Sequence, residues 1–242
     1  MKARKKSFNY KRLIIVLAII LLAVLIFFSY RSLKVKTIYV IGNNIINESE
    51  ILDNTDLLTY PNLYQVSEKD IKTQLQENKL INNVRVKKSL SGKVIIEITE
   101  HKVLYQDKNG KYMLSNKKEV ELDEALLGIP TLINDCDAVK DKFIEKLLLI
   151  DNDIMKHISE IEYKPTELDK ERFMFYMSDT NYVYITLNKI SLINSYNEIY
   201  PTLEGKKGIL YLDSGNHFEI KDKNEKEEEK LEEKNNNRQN NT

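Results

Sequence analysis

The sequence predicts an α+β protein held to a membrane by a single helix, and three observations predict it. Residues 13–28, LIIVLAIILLAVLIFF, run for sixteen positions without a polar side chain. From 35 to 101 the hydrophobic pattern reads strand, helix, helix, strand, strand, a small βααββ unit. From 102 to 220 short alternating runs separated by turn signals predict a mainly antiparallel β domain with helices.

The apolar run is the anchor. Counted from Tyr10 to Tyr30 it covers twenty-one residues, which as a helix is roughly 31 Å long and matches the hydrocarbon thickness of a bilayer. Residues 1–12 carry Lys2, Arg4, Lys5, Lys6, Lys11 and Arg12 and no acid, whereas the far side begins with Arg31, Lys34 and Lys36. The excess of positive charge places the N-terminus in the cytoplasm. Residues 1–12 are then a cytoplasmic basic segment, 13–30 a transmembrane signal anchor, and everything after them extracytoplasmic. A cleaved signal peptide also starts basic, but its apolar core is shorter, and FFSYRSLKV offers no A-x-A-like cleavage site.

Composition bounds the remainder. Apolar residues make up 42% of the chain, ordinary for a globular protein. Formal charge is zero overall, so the six N-terminal bases leave −6 for the rest, which speaks against a nucleic-acid partner. The single cysteine, Cys136, excludes an intrachain disulfide, so the domains stand on their cores alone.

In chain order, VKTIYVIGN (35–43) is a β-branched run that stops at a Gly-Asn turn. Asn47 before Glu48 and Glu50 predicts a helix N-terminus, with Ile51, Leu52 and Leu58 as its buried face. Tyr60-Pro61 ends that pattern. Ser67 opens a second helix as a capping box with Asp70, carrying Ile71, Leu75 and Leu80 and ending near Asn78. Val84 and Val86, the Ser91-Gly92 turn, then Val94, Ile96 and Ile98 predict a β-hairpin.

These residues carry a resemblance. A membrane anchor followed by VKTIYVIGNNII, with V-x-G-N-x-x-I beginning at Val40, then LINNVRVKKSL and the closing I-x-I-x-E at 96–100, resembles the POTRA domain of the bacterial cell-division proteins FtsQ and DivIB, here over 34–101. The likeness continues through Y-x-D-x-x-G at 105–110 to L-x-L-D-S-G at 210–215, and implies the β domain of that family over 102–220. Within it, Asp107-Lys108-Asn109-Gly110 predicts a hairpin turn. IPTLI (129–133) reads as extended, and 140–153 as an amphipathic helix with Phe143, Leu147 and Ile150 on one side. A second hairpin turns at 178–181. Leu192, Tyr196, Ile199 and Leu203 fall at helical intervals, and 208–220 reads as one closing strand. Residues 221–242 hold one large apolar side chain, Leu231, and read as a disordered charged tail.

The search for chemistry returns no catalytic, cofactor or metal set. His101, His157 and His217 are far apart in sequence and lack metal-ligand spacing. No P-loop, G-x-S-x-G or HExxH occurs. Cys136 lies among acids that raise its pKa, which argues against a nucleophile. Two functional classes remain: a non-enzymatic scaffold, or a membrane-anchored extracytoplasmic enzyme or sensor. An outer-membrane translocator is excluded because no series of barrel strands follows.

The resemblance implies the scaffold, a septal cell-membrane protein that binds FtsL-like and DivIC/FtsB-like single-pass partners and helps regulate septal peptidoglycan synthesis. It needs no cofactor and takes no small-molecule substrate. In similar proteins the last strand of the β domain receives the partner, which here implies Tyr211, Leu212, Asp213, Ser214 and Gly215. The same stretch also reads structurally, with Leu210 and Leu212 as core and Asp213-Ser214-Gly215 as a turn.

Overall fold

A computed structural model describes residues 10–220. Residues 1–9 of the basic segment expected to be cytoplasmic, and the tail expected to be disordered after 220, lie outside the described residues. The described residues divide into two compact units, one up to His101 and the other from Lys102.

In the first unit, α1 (Tyr10–Ser32) buries no side chain. Among the described residues it is the one helix long and apolar enough to cross a membrane. Beyond it come β1 (Thr37–Ile41), α2 (Glu48–Asp53), α3 (Glu68–Leu75), β2 (Ile81–Lys88) and β3 (Lys93–Glu100). The strands form a sheet in the order β1-β3-β2, with β1 parallel and β2 antiparallel to β3. Ile51, Ile71 and Leu75 of the helices and Val84, Val86, Val94, Ile96 and Ile98 of the strands are all buried and form the core of this unit.

Both resemblance motifs have physical causes here. Gly42 sits at φ +86, and a Cβ on it would lie 2.1 Å from the Ile98 carbonyl oxygen, so only glycine lets the chain leave β1 this close to β3. The Glu100 carboxylate accepts from the amides of Ile45 and Ile46 at 2.9–3.1 Å, pinning the segment that follows.

Two details of the helices differ from expectation. α2 stops at Asp53, Leu58 is exposed, and Leu57 is buried in its place, from a 3-10 turn over Asp56–Thr59. Asn47 holds the extended cap conformation without a side-chain capping bond, whereas the Ser67 hydroxyl does accept from the Asp70 amide.

The second unit is a mixed nine-stranded sheet with helices. Its strands are β4 (Val103–Gln106), β5 (Tyr112–Leu114), β6 (Glu119–Val120), β7 (Thr131–Leu132), β8 (Ile158–Tyr163), β9 (Arg172–Met177), β10 (Tyr182–Thr186), β11 (Gly208–Tyr211) and β12 (His217–Ile220). They lie in the order β12-β11-β10-β9-β8-β7-β4-β5-β6. Three of the neighbouring pairs, β10–β11, β4–β7 and β7–β8, are parallel and the others antiparallel.

The helices are α4 (Lys140–Leu147), α5 (Asn152–Met155) and α6 (Tyr196–Ile199). Phe143 is the centre of the core, stacked on Phe173 at 4.5 Å and packed against Tyr105 at 5.6 Å. The segment before α6 is a 3-10 helix, Leu187–Ser195, and its buried residues are Leu187, Ile190 and Ile193, not Leu192. A spacing of three puts a 3-10 helix's residues on one face. Reading the run at a spacing near four therefore misplaced Leu192, while Tyr196 and Leu203 are buried and Ile199 packs against the core as expected.

Candidate functional site

The expected closing strand is two strands. Asp213-Ser214-Gly215-Asn216 breaks 208–220 into a hairpin, with Gly215 at φ +86 and Asn216 at φ +49, the left-handed conformations these two residue types tolerate best. β11 pairs with β10 on one side and with β12 on the other. Tyr211 is therefore inside the sheet, and the edge belongs to β12. Leu210 and Leu212 are core, and Asp213-Ser214-Gly215 lies in the bend between β11 and β12.

The hairpin is tied to the sheet at both ends. At its start, a Cβ on Gly208 would lie 2.0 Å from the Glu219 carbonyl oxygen, so the absence of a side chain is what lets β12 approach. The Gly208 amide donates to Oδ1 of buried Asn181 at 2.9 Å, and Asn181 Nδ2 donates to the Tyr196 hydroxyl at 3.2 Å. At its end, the Leu212 and Asp213 amides donate to the Tyr184 carbonyl at 2.8 and 3.2 Å.

Around the turn a polar and aromatic cluster forms. Arg172 Nε donates to Asp213 Oδ2 at 2.6 Å, and Lys189 Nζ donates to the Asp213 carbonyl at 2.7 Å. The Arg172 guanidinium lies 3.7 Å from the centre of the Tyr184 ring. Tyr184 stacks on Tyr211 at 5.4 Å, and Tyr211 on His217 at 4.6 Å. Four side chains from four successive strands thus form one continuous stack that ends at the sheet edge.

Electrostatics follow from these contacts. Burial alone raises the Asp213 pKa, but the hydrogen bond and charge of Arg172, with Ser214, outweigh it and hold the carboxyl below its ordinary range. Partial burial, then a hydrogen bond to Glu219, raises the Tyr211 phenol.

On β12, His217, Glu219 and Ile220 are exposed while Phe218 packs on the core. Among the described residues no strand pairs with its outer side. Such an edge offers main-chain donors and acceptors to an incoming strand. Its exposed imidazole, carboxylate and isoleucine would choose among strands.

The POTRA domain, FtsQ-type family model matches residues 33–101. Over 93% of its length the chain is 31% identical to the cell division protein DivIB of Bacillus subtilis (strain 168), of which the match covers 89%. The chain belongs to the DivIB family. It is also 26% identical to DivIB of Listeria monocytogenes serovar 1/2a over 89% of this chain and 83% of that one. The solved major extracytoplasmic domain of the trans isomer of DivIB from Geobacillus stearothermophilus aligns at 23% identity and a TM-score of 0.36, over 44% of this chain and 96% of that domain.

In this DivIB-family chain the five residues singled out by resemblance occupy one end of β11 and the turn, beside the edge and not on it. Sequence reasoning did not single out Arg172, Tyr184 or Asn181, and it ran His217–Ile220 into one strand with β11. The D-S-G-N run was the available signal for the hairpin. The Y-x-Y alternation at 182–184 also placed Tyr184 on the outward face.

The other places where chemistry could reside are poorly equipped for it. Asp107, Glu119, Asp135 and Asp137 surround Cys136 about a space of 50 Å³, well below the ~300 Å³ at which ligand pockets begin. Lys108 and Lys140 engage Asp135 and Glu119 at 2.6 and 3.0 Å. The Cys136 thiol is pushed up to about 11, by burial first and by Asp137 and Asp135 only after it. Two wider clefts in the first unit, of 240 and 410 Å³, are lined by no histidine, cysteine, lysine or arginine.

Proposed function

We propose that this chain is a non-enzymatic, membrane-anchored scaffold of the bacterial division complex, and that its docking site is the outer edge of β12 with the adjoining Tyr211–Gly215 turn. The partners are FtsL-like and DivIC/FtsB-like single-pass proteins. A bound strand extends the sheet by β-augmentation, with main-chain bonds supplying affinity and alternate side chains supplying selection. Through these contacts the chain helps regulate septal peptidoglycan synthesis, from a septal position with the N-terminus cytoplasmic and both folded units outside. The observation that carries the reading is the side of β12 that no strand among the described residues pairs with, next to a turn locked by Arg172, Tyr184 and Lys189. A docking edge that is already ordered loses little conformational entropy on binding.

The structure also selects the test. Tyr211→Pro would strike an interior strand and unfold the hairpin, so it cannot report on docking. In an antiparallel pair successive residues point their amides to opposite sides, so of Glu219→Pro and Ile220→Pro one removes an outward amide and spares the bonds to β11. That variant of the tagged full-length chain should capture at least about tenfold less FtsL-like and DivIC-like protein from membranes, while its melting temperature moves by only a few degrees, as for losses of about 1 kcal/mol. Ser214→Glu, at the exposed turn, should weaken capture without unfolding. Capture at wild-type strength by both folded variants, that proline variant and Ser214→Glu, would move the docking site away from β12.

A further inference from the structure

The chain does not leave α1 on a free linker. The Leu33 carbonyl accepts from the Leu63 amide at 2.7 Å, and the Val35 amide donates to the Pro61 carbonyl at 2.9 Å. Lys34 and Asn62 form an isolated antiparallel bridge between these bonds. The Lys36 amide then donates to the Gly92 carbonyl at 2.8 Å. Because β1 runs parallel to β3 from the Thr37↔Lys93 pair, the 89–92 turn lies on the side from which the chain arrives out of the helix. Two loops, residues 57–67 and 89–92, are thus within about one strand spacing, ~5 Å, of the residues that emerge from α1. The helix itself touches the first loop: Arg31, in its last turn, donates to the Tyr64 hydroxyl at 3.2 Å and stands 4.6 Å over the Tyr64 ring.

What these loops expose is apolar; the basic residues lie at the end of α1 and on the hairpin, whereas Asp56, Glu68 and Asp70 flank the first loop. Leu90 is 69% exposed at the tip of its turn, Tyr60 50%, Leu58 48% and Tyr64 36%, while Leu57, Leu63 and Val66 between them are buried. Tyr60 holds its position at φ 50, a left-handed conformation that costs a non-glycine residue about 1 kcal/mol, and burial of its ring does not offset that cost. Residues 57–67 carry no charge, and Arg31, Lys34 and Lys36 precede the first acid, Glu48. On the hairpin, Glu97 pairs with Arg85 and Lys87, Lys88 donates to the Val66 carbonyl at 2.7 Å, and Lys93 lies 4.4 Å over the Tyr39 ring. Exposed tyrosine and leucine beside arginine and lysine, where a spanning helix ends, is the composition of a membrane–water interface.

We propose that this end of the first unit is a second membrane contact, with Leu58, Tyr60, Tyr64 and Leu90 in the headgroup layer of the leaflet into which α1 emerges and Arg31, Lys34 and Lys36 against anionic lipid phosphates. The proposal rests on α1 crossing the bilayer. It makes the POTRA unit a body seated on the lipid surface by two loops and a helix.

The chain has no tryptophan, so single substitutions read depth without background. The full chain is reconstituted in vesicles of phosphatidylglycerol and phosphatidylcholine with brominated acyl chains, as Phe28→Trp, Tyr60→Trp, Leu90→Trp and Ile41→Trp variants. Phe28→Trp reports helix insertion. Tyr60→Trp and Leu90→Trp should be quenched and blue-shifted, and Ile41→Trp, at the far end of β1, should not. Quenching at 60 and 90, but not at 28, should weaken in about 1 M salt, where the screening length falls to about 3 Å, or without phosphatidylglycerol. Quenching at 28 with none at 60 and 90 overturns the surface contact and leaves the anchor standing, whereas none at 28 overturns both. Leu90→Trp lies at an exposed turn and keeps the test decisive should Tyr60→Trp disturb folding.

Discussion

Arg172 and Asp213 are 41 positions apart in sequence and joined at 2.6 Å in the fold, with side chains 18% and 9% exposed. Removing the guanidinium leaves a nearly buried carboxylate without its counter-charge, so Arg172→Met should cost roughly 3 kcal/mol, measured by urea unfolding of the ectodomain at pH 7. The pH dependence has a fixed sign. The Asp213 carboxyl is held below its ordinary range in the folded state, so its contribution is complete above the unfolded value of about 3.9 and is lost as pH falls through the lower folded value. Arg172→Met should therefore be less sensitive than the parent to acid below about pH 4, and an unchanged acid midpoint would remove this pair from the stability of the turn. None of this was legible in the sequence, where Arg172 opens an ordinary strand and Asp213 sits in a run read mainly as extended.

At the scale of elements, the β11–β12 hairpin depends on one missing methyl group. A Cβ at Gly208 meets the Glu219 carbonyl at 2.0 Å and the Phe218 ring at 2.9 Å, so Gly208→Ala must push β12 outward, at a cost of about 1–3 kcal/mol. Hydrogen exchange should show faster exchange of the 217–220 amides that bond to β11, with protection of β9 and β10 intact, and partner capture should fall with it. Unaltered exchange would mean that the strand accommodates the methyl. Elements fixed by local chemistry were readable in advance: the Ser67 cap, the Ser91-Gly92 hairpin and the 178–181 hairpin each rest on residues adjacent in sequence. The 3-10 helix Leu187–Ser195 was not, because a spacing of three and one near four overlap over so short a run.

At the scale of the molecule, residues 34–101 and 102–220 should each fold when expressed alone, giving separate cooperative unfolding transitions, because each closes its own sheet and core. Protease added outside spheroplasts should digest both units and spare an N-terminal tag; a protected C-terminus would reverse the orientation. The sequence by itself determined the long apolar N-terminal helix, since length and apolarity suffice for it, and the order of elements in the first unit, since period and capping are local. It also carried enough pattern for the family resemblance. The tertiary structure alone decided which strands are neighbours: β1 parallel to β3, β7 between β4 and β8, and β11 inside the sheet with β12 at its edge. A hydrophobic period shows that a segment is a strand and which face it buries, but both edges of a strand carry the same backbone donors and acceptors. Which edge remains open is settled only when distant segments compete to pair with it.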